Sequence, residues 1–112
     1  MLVAVYGSLK QGYGNHRLLE TSEFKGGTQT KPEYTMYSMG GFPCITEEGG
    51  TSIEIEVYEV EDSVFSRLDQ LEGYPTFYNR KEIETEWGDA WVYYINDRAY
   101  LGRLNVVESG RW

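Results

Sequence analysis

A lone cysteine, Cys44, leaves this chain no intrachain disulfide, and a lone histidine, His16, beside it falls short of the usual structural zinc sets. That usage suits a reducing compartment, so a cytoplasmic location is expected and a metal site is not. No apolar run approaches the roughly 20 residues of a membrane span. The N-terminal run, Leu2 to Val5, has no basic flank and is far too short for a signal peptide, so export is not expected either. Basic residues are scarce, ten against eighteen acidic, and the net charge of -8 repels phosphate backbones and anionic lipid surfaces. Nucleic acid and membrane are thereby excluded as expected partners. Only three prolines occur, and no repeat, linker or low-complexity segment interrupts the chain.

Aromatic residues and glycine are plentiful. Ten tyrosines and thirteen glycines in 112 residues supply a packed interior, hydroxyl-lined pockets and many tight turns. The length fits one domain, residues 1–112, able to bury a core without staples.

Patterning then divides the chain. Leu2 to Tyr6 is a nearly continuous apolar run closed by Gly7-Ser8, which predicts a central strand leaving into a sharp loop. Asn15 is placed to cap a short helix from His16 to Glu20 with Leu18 and Leu19 inward. Gly26-Gly27 breaks the pattern, and Thr28 to Met39 suggests strands on either side of a turn at Lys31-Pro32. Gly40 to Pro43 and Glu47 to Gly50 both read as loops, leaving Cys44 to Thr46 as at most a brief strand. Thr51 to Val60 alternates until Tyr58 and Val60 invert the phase, which implies a bulge or burial of both faces. Lys81 to Trp87 alternates again, and a turn at Gly88-Asp89 leads into Ala90 to Ile95 as an antiparallel hairpin. A helical turn is expected near Tyr100 to Leu104. The sum is many short strands with two modest helices, an α+β fold built on a small curved, mostly antiparallel sheet or barrel.

One residue is out of place in this scheme. Asp62 to Glu72 reads as a helix, with Asp62 as N-cap and Gly73 as its stop. At about 100° per residue with Val64 as origin, Leu71 falls at ~340°, Leu68 at ~40°, Phe65 at ~100° and Glu72 at ~80°. Glu72 thus sits inside the apolar stripe, where burial raises a carboxyl pKa towards the range of a general base and acid. The plain alternative is a frayed last turn with Glu72 in water. Tyr6-Gly7-Ser8-Leu9, at the exit of a buried strand, has the composition of a backbone anion nest, although four residues alone also describe an ordinary turn.

In combination these elements resemble the gamma-glutamylcyclotransferase-like family. The resemblance is carried by Val5-Tyr6-Gly7-Ser8-Leu9-Lys10 with Asn15-His16-Arg17, by Leu68-Asp69-x-x-Glu72-Gly73 and by Tyr78-x-Arg80. Gly40-Gly41-Phe42-Pro43 is a looser fourth element, and nothing beyond Arg80 matches. The resemblance implies a curved sheet or barrel of about six strands with short flanking helices, and an enzyme that releases 5-oxoproline from gamma-glutamyl amines or small gamma-glutamyl peptides, with no cofactor. Glu72 would be the catalytic residue. Tyr6, Gly7, Ser8, Leu9 and Tyr78 would bind substrate, the loop amides clamping its α-carboxylate.

Arg80 and Asp69 are expected in support. Arg80 either neutralises a substrate carboxylate or forms a structural ion pair, the latter preferred, and one beside Glu72 would oppose the effect of burial. Asp69, at the stripe edge, more naturally bonds backbone or a basic neighbour. His16 reads as a structural or pocket-rim residue, and a Cys44–His16 thiol dyad lacks an orienting third group. A noncatalytic binding module for a small polar metabolite is the competing reading. A third reading, an acidic interaction face of Glu82, Glu84 and Glu86, competes with simple solvation. A monomer or homodimer is equally compatible with the sequence.

Overall fold

The run Leu2–Val5 forms β1, and its unbroken apolarity follows from its place at the centre of the molecule, with both faces covered. The computed structural model describes residues 1–112. After β1 come β2 (Glu23–Gln29), β3 (Tyr34–Ser38), β4 (Pro43–Thr51), β5 (Glu54–Glu59), β6 (Asn79–Thr85), β7 (Gly88–Tyr94) and β8 (Asn105–Val106). The helices are α1 (Asp62–Glu72), the one-turn α2 (Arg98–Leu101) and a 3-10 turn at His16–Leu19. A five-stranded sheet runs in the order β2-β5-β1-β7-β6, and a three-stranded sheet in the order β4-β3-β8. The architecture is α+β, as expected, with eight strands in two sheets where one sheet of about six was anticipated.

Every pairing is antiparallel except β1 with β7, where Leu2 lies opposite Ala90 and Val3 opposite Trp91. Val3 and Val5 face a core shared with α1, including Phe65 and Leu68. Leu2, Ala4 and Tyr6 face a second core between the two sheets, with Met36, Ile45 and Val57. Tyr58 joins the first core while Ile55 and Val57 join the second. Burial of both faces therefore explains the phase change in β5; the bulge lies across from it in β2, between Phe24 and Gly26.

Several expectations are corrected. Gly26-Gly27 does not end a strand, because β5 pairs with β2 on both sides of the bulge and the ring of Trp87 packs against Gly26. Residues 47–50 are not a separating loop but the outward excursion of one long strand: Tyr34 pairs with Thr51 and the next residue, Thr35, with Thr46. The β6–β7 turn is Glu86-Trp87, since Thr85 already pairs with Gly88. Helical structure near the C-terminus starts at Arg98, two residues before the expected position, with Asp97 capping through an acceptor for the Tyr100 amide. Glu82, Glu84 and Glu86 are solvent-exposed.

Helix α1 packs Val64, Phe65 and Leu68 onto the sheet, each worth roughly 1.5–3 kcal/mol of burial. Leu71, assigned to the same stripe, is 43 % exposed, because the last turn overhangs the sheet. Glu61 takes the N-cap position, with Asp62 as the first helical residue. Gly73 ends the helix as predicted, at φ 67° and ψ 36°, a left-handed conformation that favours glycine, and its amide closes on the Asp69 and Gln70 carbonyls. No helix is long and apolar enough to cross a membrane.

Candidate active site

The parallel β1–β7 register carries Tyr93 alongside the exit of β1, and the end of α1 comes down over the same point. A narrow recess opens there between Ala4-Val5-Tyr6-Gly7-Ser8-Leu9, Phe42-Pro43, Glu72, Tyr78 and Tyr93. Six of the eight residues singled out from sequence line it: Tyr6, Gly7, Ser8, Leu9, Glu72 and Tyr78. Asp69 and Arg80 do not.

Gly7 is required by a close approach. A Cβ there would lie 2.6 Å from Cδ of Pro43, so the β1 exit loop and the start of β4 touch as only glycine permits. The amides of Gly7, Ser8 and Leu9 donate to no acceptor within the protein, whereas the Gly7 and Ser8 carbonyls accept from the Lys10 and Asn15 amides and shape the loop. Asn15 takes the expected N-cap position of the 3-10 turn, but its side chain makes no cap bond. Its Nδ2 donates to Ser8 Oγ at 2.9 Å, tying the turn to the recess. His16 Nδ1 donates to the Leu9 carbonyl at 3.0 Å, which makes it a brace for the same loop.

The tyrosines are held by their own hydroxyls. Tyr6 Oη donates to the Tyr93 carbonyl at 2.8 Å, and Tyr78 Oη to the Pro43 carbonyl at 2.9 Å. Burial pushes both phenols well above their ordinary range, and the nearby Glu72 charge adds to the effect. Both hydroxyls stay protonated at neutral pH and, with their hydrogens committed, present acceptor lone pairs to the recess. Cys44 is buried, with a thiol pushed by burial to about 12, so it stays protonated at neutral pH and supplies no thiolate for a dyad.

Glu72 differs from all of these. Its side chain has no hydrogen-bond donor and no cation within ion-pair range among the protein's own groups. Withdrawal from water raises its carboxyl from 4.5 to about 7. Its own carbonyl accepts from the Tyr78 amide at 3.3 Å, which anchors the helix end to the segment just before β6.

Arg80 forms the expected structural ion pair, but with Asp69: Nε lies 3.3 Å from Oδ1. Its guanidinium sits 4.1 Å from the ring centre of Tyr74, with Phe65 and Trp91 at 4.5 and 4.7 Å, an aromatic enclosure behind the recess. Asp69 also accepts from Tyr93 Oη at 2.8 Å. The pair thus locks α1 to β6 and β7 without opposing the raised pKa of Glu72. Tyr93 is the lining residue that the sequence did not disclose. Its one signal was the run Ala90 to Ile95, apolar on both faces and so in line for a central strand.

No three His, Cys, Asp or Glu side chains converge in a metal-ligand arrangement. The recess offers a carboxyl poised near neutrality, unpartnered amides and neutral phenol oxygens, a set suited to moving protons on a small polar molecule.

Comparison with known proteins finds that residues 3–112 match the family described as "Gamma-glutamyl cyclotransferase, AIG2-like". A Vibrio cholerae protein bearing a provisional gamma-glutamylcyclotransferase name is 41 % identical over 99 % of this chain and 94 % of its own length. The gamma-glutamylcyclotransferase family protein YtfP of Escherichia coli K12 is 33 % identical over the whole chain and 96 % of its own. A crystal structure of a Pyrococcus horikoshii protein superposes with a TM-score of 0.85 at 28 % identity, covering 99 % of this chain and 88 % of that one.

Proposed function

This chain belongs to the Gamma-glutamyl cyclotransferase, AIG2-like family, and from that premise we propose that it releases 5-oxoproline from gamma-glutamyl amines or small gamma-glutamyl peptides. The observation that carries the proposal is Glu72: a carboxyl without a protein partner, raised to about 7, at the wall of a recess lined by unpartnered backbone amides.

The reaction is an internal aminolysis. The α-amino nitrogen attacks the γ-carbonyl carbon, a C–N bond closes the five-membered ring, and the bond to the leaving amine breaks. The attacking nitrogen begins as an ammonium with three protons and ends in the ring with one. The departing nitrogen begins with one and leaves with three. Two protons therefore pass from one nitrogen to the other with no net uptake or release. Glu72 carries the two in turn, one from the ammonium before attack and one from the same nitrogen once the C–N bond has formed, delivering each to the leaving nitrogen, and a pKa near neutrality serves both acceptance and delivery. Holding amine against carbonyl supplies the intramolecular advantage.

The amides of Gly7, Ser8 and Leu9 hold the α-carboxylate. Tyr6 and Tyr78, whose hydroxyl hydrogens are engaged with carbonyls, accept from the ammonium rather than donate to the developing oxyanion. Asp69 and Arg80 position α1 and touch no substrate. The test is a panel of gamma-glutamyl compounds incubated with purified protein, with 5-oxoproline and free amine quantified together. Equimolar appearance of both is expected. Glutamate in place of 5-oxoproline would show hydrolysis and overturn the mechanism.

A further inference from the structure

Beside the recess lies a second, wider lobe that shares Ser8, Phe42, Glu72 and Tyr78 with it and adds Asn15, Gly41, Leu71 and Phe77. Phe42, Leu71 and Phe77 are exposed by 44, 43 and 45 %, three large apolar side chains left uncovered around one opening. They come from separate places: the loop before β4, the last turn of α1 and the segment before β6. Phe77 is fixed, edge-on to Tyr78 and Tyr100, and its amide donates to the Gly73 carbonyl at 2.7 Å.

The charge of this lobe is one-sided. No Lys, Arg or His lines it, and its one ionisable acid is Glu72. Arg17, two residues after Asn15, lies outside the lining. A leaving amine that carried a carboxylate would bring it beside Glu72, without a counter-ion, on a chain of net charge -8. A leaving amine with a terminal ammonium would have to shed water among Phe42, Leu71 and Phe77 with no carboxylate but Glu72, which the reaction itself employs. Resting on the cyclotransferase reading above, we infer that this lobe receives the leaving amine and that the substrate's amine is apolar and carries no carboxylate. Its alkyl or aryl body packs on Phe42, Leu71 and Phe77, while Ser8 and Asn15 meet the amide that is being cleaved.

Matched substrates test this. The kcat/KM for gamma-glutamyl-3-methylbutylamine is compared with gamma-glutamyl-leucine, which differs by the carboxylate alone, and gamma-glutamyl-phenethylamine with gamma-glutamyl-phenylalanine. Gamma-glutamyl-1,5-diaminopentane supplies a cationic tail. The carboxylate-free member of each pair is expected to be better by roughly tenfold or more, and the cationic compound to fall below the apolar amines. The Leu71→Lys variant, altered at an exposed position, is expected to shrink that ratio by improving the carboxylate-bearing member. Ratios within twofold, or a preference for the carboxylate or the cation, would overturn the assignment while leaving the cyclotransferase intact. No 5-oxoproline from any compound would overturn the reaction itself and the assignment with it.

Discussion

Asp69 and Glu72 leave the same helix three residues apart, yet Asp69 holds Arg80 at 3.3 Å and Tyr93 at 2.8 Å while Glu72 meets no protein donor. The cation that would have kept Glu72 ionised is spent on its neighbour. One carboxylate fixes the helix; the other is left free to titrate against burial.

Activity should therefore follow the ionised fraction of Glu72. With its carboxyl raised to about 7, kcat/KM is expected to fall about tenfold per pH unit below that point and to level off above it, since the free base must be ionised to accept the ammonium proton. A pH–rate profile from 5 to 9 checks this. An acid limb centred near 4.5 would mean that the working carboxyl is fully solvated.

The same shift has a stability consequence of opposite sign to the usual carboxylate. The folded pKa, about 7, lies above the ordinary 4.5, so between these values the folded protein holds a proton that the unfolded chain has lost. Stability from this group is present below about 4.5 and is lost as pH rises towards 7. Glu72→Gln should remove that loss and stabilise the protein at pH 8 by up to about 3 kcal/mol, with little effect at pH 4. Urea titrations at the two pH values measure it. Equal effects at both would show that Glu72 is not desolvated.

Asp69→Ala should cost about 2–4 kcal/mol, because it leaves Arg80 without its ion-pair partner and the Tyr93 hydroxyl without its acceptor in a partly buried place. In the folded fraction the acid limb of the rate profile should remain near 7. A displaced limb would give Asp69 a direct part in the proton transfer.

Gly7→Ala should destabilise by about 1–3 kcal/mol, since the new methyl meets the Pro43 ring at 2.6 Å. Moving the Ser8–Leu9 amides should also raise KM more than it lowers kcat. Thermal denaturation and steady-state kinetics separate the two effects. A neutral result in both would show that the β1 exit and the start of β4 are free to part.

The two strongest sequence signals were local ones. The break of helical amphipathicity at Glu72 and the glycine turn after a buried strand each mark a residue whose neighbours in sequence define its environment. The partner of Arg80 was not local: it depended on which face of α1 meets β6, and the helical wheel placed Asp69 and Glu72 too near each other to choose. Residues 47–50 misled because a glutamate and glycine cluster looks the same in a loop as in an excursion between paired ends. Tyr93 stayed hidden because its role depends on a parallel register with β1, and pairing between residues 87 apart leaves no mark in either segment alone. The lobe at Phe42, Leu71 and Phe77 was equally out of reach, being assembled from two loops and a helix end.

The decisive comparison is 5-oxoproline release by the wild-type protein and by Glu72→Gln, with circular dichroism confirming that both are folded. Loss of a general base predicts release slower by about 10²–10⁴-fold in the variant. Undiminished release from the folded variant would contradict the role of Glu72. Substrate binding without release by the wild type would identify the recess as a receptor for a small polar metabolite.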